Sequence, residues 1–142
     1  MRISVEEVFE TVRMTLDHHF DIRTVTLGIN LKDCMDRNLG KFIGRAHKRI
    51  VEKGKLLNKC ADSVEQKYGI PITNRRISVT PASILLEPLP RTIMTAVRFA
   101  KALDEAAKKA DIDFIGGFGA MVQKGMTAAD ENLINAIPQA LS

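Results

Sequence analysis

Two segments of alternating character set the limits on what this chain can fold into. Asp21-Ile-Arg-Thr-Val-Thr-Leu-Gly-Ile-Asn30 places Val25, Leu27 and Ile29 on one side and Thr24, Thr26 and Asn30 on the other. Asn74-Arg-Arg-Ile-Ser-Val-Thr80 repeats the pattern, with Ile77 and Val79 opposite Arg76, Ser78 and Thr80. A period of two in β-branched residues marks strands with one apolar face. The long stretch between them has helical periodicity, so the strands are joined by a helix and pair in parallel. A third apolar run, Ile112-Asp-Phe-Ile-Gly-Gly-Phe-Gly119, follows another helical stretch and reads as a short buried strand ending in a glycine turn. The expected fold is α/β, built from β-α-β units with a mainly parallel sheet and right-handed crossovers, in a single domain over residues 1–142. Three strands leave two open edges, so something else should complete the sheet.

The helices follow from the same reading. Ser4 and Glu7 have capping-box spacing, Val5, Val8, Phe9, Val12 and Leu16 form a helical stripe, and His18 and His19 close the helix. Asp36 is the expected N-cap of a long helix to about Tyr68, stopped by Gly69 with Pro71 beyond. Its apolar positions are Leu39, Ile43, Ala46, Ile50, Leu57, Ala61, Val64 and Tyr68; Lys41, Arg45, Lys48, Lys55 and Lys59 fall on the other side. Gly40, Gly44 and Gly54 mark places of close packing, and a break within this element stays open. Pro88 and Pro90 lead into a helix from about Thr92 to Ala110 with Ile93, Val97, Ala100, Leu103 and Ala107 inward. A last helix begins near Thr127, and Pro138 disturbs its end.

Composition narrows the class. Hydrophobic residues make up 45% and charged residues 27% of the 142 residues, which excludes a disordered or collagen-like chain. No apolar run approaches the roughly 18 residues of a membrane span. Acids in MRISVEEVFE occupy the place of a signal sequence's apolar core, and Cys34 and Cys60 are too few for a disulfide framework. A cytoplasmic protein with both thiols reduced is the expectation. His18 and His19 point about 100° apart on a helix, and no HExxH pattern is present, so no metal site is expected. Residues 41–76 hold ten basic and three acidic side chains, while the rest holds eleven and fourteen, so the net +4 conceals a basic long helix. With aromatics at 5% and no Trp, that stripe reads as a solvated helix face, and nucleic acid is not an expected partner.

Three places carry candidate chemistry. The polar strand face with Arg76, Ser78 and Thr80 either lines a ligand site or is an ordinary solvated face. Gly116-Gly117-Phe118-Gly119 follows a strand and is either a backbone nest for an anion, with Lys124 nearby, or a tight turn. It matches neither the dinucleotide fingerprint, since Val122 stands where a third small residue belongs, nor the Walker pattern. Asp33 and Cys34 follow the first strand, at the strand end where α/β sheets gather ligands; the alternative for Cys34 is a packed thiol. Cys60 lies on the long helix and reads as structural.

Three blocks of this sequence resemble a known family. They are Phe20-Asp-Ile-Arg-Thr-Val-Thr-Leu-Gly-Ile-Asn-Leu-Lys-Asp-Cys34, Tyr68-Gly-Ile-Pro-Ile-Thr-Asn-Arg-Arg-Ile-Ser-Val-Thr-Pro81 and Asp113-Phe-Ile-Gly-Gly-Phe-Gly-Ala-Met-Val-Gln-Lys-Gly125. In order and spacing they are similar to the uncharacterised bacterial and archaeal family labelled "PFL family protein", a domain of unknown function. The resemblance implies an α/β barrel of the pyruvate formate-lyase and ribonucleotide reductase type, assembled as a homodimer, with this chain matching the N-terminal third of longer proteins. It implies no reaction and no cofactor. The family usually has serine after Gly-Gly-Phe where this chain has Gly119, and Asn-Lys-Arg where it has Asn74-Arg75-Arg76. The glycyl-radical loop and central cysteine that radical chemistry needs are not identifiable here.

The resulting expectation is a barrel enzyme fragment that binds a small anionic or polar metabolite. Arg76, Ser78 and Thr80 orient the ligand, and the Gly116–Gly119 turn supplies backbone donors. The alternative is a non-catalytic interaction or regulatory module acting through its sheet edge or dimer contacts. A homo-oligomer or a missing C-terminal part would supply the cover that the sheet lacks.

Overall fold

The alternation of strand and helix is realised in a computed structural model that describes residues 4–17 and 21–142. In chain order the elements are α1 (Val5–Leu16), β1 (Val25–Ile29), a 3-10 turn (Lys32–Cys34), α2 (Leu39–Tyr68), β2 (Arg75–Val79), α3 (Ala82–Leu86), α4 (Ile93–Ala110), β3 (Phe114–Gly116) and α5 (Ala128–Ala140). The sheet has the order β1-β2-β3 and both pairings are parallel. Leu27 stands opposite Ile77, which stands opposite Ile115, so one apolar row crosses all three strands.

The period of two sorts the sheet as expected. Ile29, Ile77 and Val79 are buried, while Thr26, Gly28, Arg76, Ser78 and Phe114 are exposed. The apolar face packs under α2 and α4, whose Phe42 and Phe99 rings stack with centroids 5.1 Å apart. Burial of two whole aromatic side chains at this point contributes on the order of 2–3 kcal/mol each. α5 lies against α4 and α3, closing the helical layer with Leu133 and Ala136. The opposite face of the sheet is left open among the described residues.

Several elements depart from the sequence reading. Asn38 rather than Asp36 caps α2: its Oδ1 accepts from the Lys41 N–H at 3.1 Å, while Asp36 accepts from the Asn38 N–H at 2.9 Å and shapes the approach. The helix is unbroken and its buried line runs through Phe42, Ala46, Ile50, Gly54, Leu57 and Ala61. Of its three glycines, Gly54 alone is needed for packing, since a Cβ there would stand 2.7 Å from that of Ala110. β3 is shorter and more exposed than expected, with Phe114 half exposed at the sheet edge. α3 was not foreseen, and α5 continues through Pro138, because a proline in the last turn removes an N–H near the end of the ladder only. α1 has its capping box, yet Val5, Val8, Phe9, Val12 and Leu16 are all exposed. His18 and His19 lie outside the described residues.

Candidate functional site

Parallel pairing brings the carboxyl ends of the strands to one rim, where Asn30, Thr80 and Gly117 follow β1, β2 and β3. The rim is tied by side chains. Thr80 Oγ1 donates to Asn30 Oδ1 at 3.2 Å and accepts from the Leu31 N–H at 3.1 Å. Asn30 Oδ1 also accepts from the Lys32 N–H at 3.0 Å, which holds the chain as it turns into the segment bearing Asp33 and Cys34. Arg49, reaching from α2, donates to the Asn30 carbonyl at 3.4 Å and forms an ion pair with Asp33.

That pairing sets the electrostatics. The Arg49 guanidinium and a backbone N–H hold the Asp33 carboxyl below its usual range. Burial pushes the Cys34 thiol above its usual range, and the pull of Arg49 in the opposite direction is the smaller effect. Cys34 is 2% exposed and therefore a packed, protonated thiol rather than an activated nucleophile. A cleft of about 520 Å³ along the free edge of β1 is lined by Leu27, Gly28, Ile29, Asn30, Arg49, Glu52 and Lys53. Arg49 and Glu52 also line a neighbouring cleft of about 240 Å³ with Asp33, Cys34, Arg45 and Lys48.

The eight residues singled out from sequence are distributed over three places. Asp33 and Cys34 belong to the smaller cleft. Arg76 and Ser78 project from the open sheet face beside Gly116, and Thr80 links that strand to Asn30 at the rim. Gly117 is pressed against β2: with φ at +114°, any Cβ would stand 2.6 Å from the Val79 carbonyl oxygen. Its own carbonyl accepts from the Ala82 N–H at 2.8 Å, and the Gly119 N–H turns back to it at 2.9 Å. Lys124 is exposed in the segment beyond. Arg76 and Ser78 line neither cleft.

Arg76 differs sharply from its neighbour. Arg75 points toward α2 and pairs with Asp62 and Glu65. Arg76 stands over the Phe114 ring at 5.6 Å and has no carboxylate partner among the described residues. Asp33 is held by Arg49, and Asp113 accepts from the Arg75 N–H at 2.7 Å, so neither acid near the strands neutralises Arg76. Sequence reasoning placed Asn30 on the polar strand face without its bonds at the rim, and did not find Arg49 as the partner of Asp33. Asn30 was visible as a polar residue ending a strand, whereas Arg49 is one of many cations on α2 and nothing in the chain separates it from the rest.

No group of three or more His, Cys, Asp or Glu side chains suited to a metal ion occurs among the described residues. No helix there is long and apolar enough to cross a membrane.

Residues 13–142 match the family described as "Uncharacterised ACR (DUF711)". The chain belongs to that family. Among its relatives, the UPF0210 protein of Desulforamulus reducens is 47% identical over 139 residues, covering 98% of this chain and 30% of the relative. The UPF0210 protein of Thermoanaerobacter sp. is 46% identical over 142 residues, covering 100% and 31%. That of Methanosarcina mazei is 45% identical over 142 residues with the same coverage. This DUF711 chain therefore spans about 30% of the length of the relatives it matches. The names assign no reaction to those proteins, and α1 mostly precedes the stretch that the family description matches.

Proposed function

We propose that this chain is the ligand-binding part of a larger α/β enzyme of the DUF711 family, and that its open sheet face and rim bind a small anionic or polar metabolite. The observation that carries the reading is the unneutralised guanidinium of Arg76, on a face with Ser78 while Asp33 and Asp113 are engaged elsewhere. A parallel sheet is ordinarily covered on both faces, and the relatives hold more than enough additional chain to cover this one. In the pyruvate formate-lyase-like barrel that the sequence resembles, this face is the interior. Arg76 then supplies a forked donor to a carboxylate or phosphate, with Ser78 and Thr80 as hydroxyl partners and the Gly116–Gly117 turn and Lys124 at the strand end. Asp33 and Cys34 form the neighbouring wall, and the setting is a cytoplasmic homo-oligomer. The other reading, a non-catalytic module that pairs through its free sheet edges, is favoured by the exposed edges of β1 and β3.

Thermal-shift titration with inorganic phosphate and with malonate tests the first reading. Both the wild type and Arg76→Ala should fold, since Arg76 makes no ion pair among the described residues. The wild type gains melting temperature with one of the two anions and the variant does not. Equal responses from the two proteins, or no response from either, overturn the site.

A further inference from the structure

The chain leaves β3 at Gly116 and reaches α5 only at Ala128. The start of this strap is held by backbone groups: the Ala82 N–H donates to the Gly117 carbonyl at 2.8 Å and the Ser83 N–H to that of Gly119 at 3.3 Å. Further on, Met121, Val122 and Met126 are exposed and contribute nothing to the core. The side chain that holds this outer part is Asp130, in the first turn of α5 and 4% exposed.

Asp130 Oδ2 accepts from the Thr127 N–H at 2.9 Å and from the Thr127 hydroxyl at 2.7 Å. Asp130 Oδ1 accepts from the Met121 N–H at 3.3 Å, and the buried Ser83 hydroxyl of α3 lies close enough to help lower the carboxyl. No cation pairs with it among the described residues. A buried carboxylate without a countercharge persists only where several dipolar donors satisfy it. Capping α5 accounts for the Thr127 donors alone. α1 has the same kind of cap, Ser4 with Glu7, and there it is exposed and bonds to no other element among the described residues. The bond from Met121 is additional to a helix cap, and with Ser83 beside the carboxyl it brings three separate pieces of chain together.

We propose that Asp130 is the positioning residue of the outer strap: its carboxylate clamps the Met121 backbone to the first turn of α5, beside α3, and so fixes the course of the segment that carries Lys124 beyond the glycine turn. The bearing on ligand binding rests on the rim reading above; the clamp itself does not. The Thr127 donors first, then Ser83 and the Met121 N–H, lower the carboxyl to about 2. At neutral pH the clamp is therefore closed and acts as a brace.

Hydrogen–deuterium exchange on the full chain tests it, with the wild type compared with Asp130→Asn, Ser83→Ala and Thr127→Ala. In Asp130→Asn, amides of residues 120–126 exchange about tenfold faster while those of β2 and α2 stay at wild-type rates. Ser83→Ala shows the same pattern to a smaller degree, and serves should the first variant fold poorly. Thr127→Ala speeds exchange only in the first turn of α5. If Thr127→Ala loosens the strap as much as Asp130→Asn does, Asp130 is only a helix cap and the proposal falls. Even acceleration along the chain, or none, overturns it as well. Phosphate titration of Ser83→Ala then separates the two ideas. A loosened strap with a wild-type phosphate shift removes Asp130 from the site, whereas loss of the Arg76 effect alone leaves the clamp standing.

Discussion

Replacing Gly117 by alanine separates two costs that the structure imposes at one residue. The backbone there has φ of +114°, which an L side chain rarely adopts, and the added Cβ would lie 2.6 Å from both the Val79 carbonyl oxygen and Val79 Cγ2. The oxygen is main chain in β2 and cannot turn aside as a side chain can. Conformational strain of this kind costs about 1–3 kcal/mol, and overpacking against a fixed neighbour costs a further ~1–3 kcal/mol. Loss of conformational freedom in the unfolded chain returns less than about 1 kcal/mol. The net expectation is a destabilisation of about 3 kcal/mol.

Two neighbouring glycines serve as controls. Gly125 has φ of +128° but nothing within 4 Å of an added Cβ, so Gly125→Ala feels strain alone. Gly119 has neither a positive φ nor a close neighbour, so Gly119→Ala should fall within about 0.5 kcal/mol of wild type. Urea unfolding followed by circular dichroism reads the series. With a slope of about 2 kcal/mol per molar, Gly117→Ala lowers the midpoint by roughly 1.5 M. Gly125→Ala falls between the other two. A Gly117→Ala midpoint equal to that of Gly119→Ala refutes the close approach of the turn to β2.

Two further outcomes follow from other parts of the fold. Under native conditions a maleimide labels Cys60, which is exposed, and leaves Cys34, which is buried with its thiol pushed up; denaturant releases the second site, and two labels in the native protein contradict that burial. Asp130 titrates near 2 when folded and near 3.8 when unfolded, so its stabilisation is complete above about 4 and disappears as pH falls through about 2. The groups that lower it are Thr127, Ser83 and Met121, none of them ionisable here, so the urea-midpoint gap between wild type and Asp130→Asn narrows over that window; a gap that is constant from pH 5 to pH 2 contradicts the assignment.

The strands were legible because their information is local. Alternation over five residues placed Ile77 and Val79 inside and Arg76 and Ser78 outside, and the sheet agrees. The long helix was legible in extent but its core line was drawn off-centre. Leu39 and Ile43 are only partly buried, whereas Phe42 is fully so, because the direction of the helix relative to the sheet is fixed by Phe99 on a distant element. Val64 and Tyr68 keep the right spacing but are exposed, as they lie where α2 nears its end. α1 shows the converse: its stripe predicts a helix correctly, yet a stripe says nothing of what will cover it. The candidate site was legible only as far as single strands reach. Arg49 with Asp33, and Asp130 with Ser83 and Met121, join residues whose proximity is created by the fold.

The adjacent arginines show how the sheet converts sequence position into chemical role. Arg75 and Arg76 are identical in chemistry and successive in the chain, so no scale of propensity or charge distinguishes them. The pleat sends Arg75 to the helical side, where Asp62 and Glu65 on α2 are spaced to receive it. There a half-buried ion pair with two acids contributes to the fold. The same pleat sends Arg76 to the side where β1 offers Thr26 and β3 offers Phe114 at its register, a hydroxyl and a ring but no carboxylate. The ring attracts the guanidinium through its π face, a contact that uses none of the N–H donors as hydrogen bonds to a carboxylate would. The next row of the same face is Gly28, Ser78 and Gly116, which places no bulky side chain beside those donors. Neighbours in the chain thus part in role: Arg75 is tied to two acids of α2, while Arg76 stands exposed over a ring on the open face, and it is this difference in setting on which the proposed ligand contact rests.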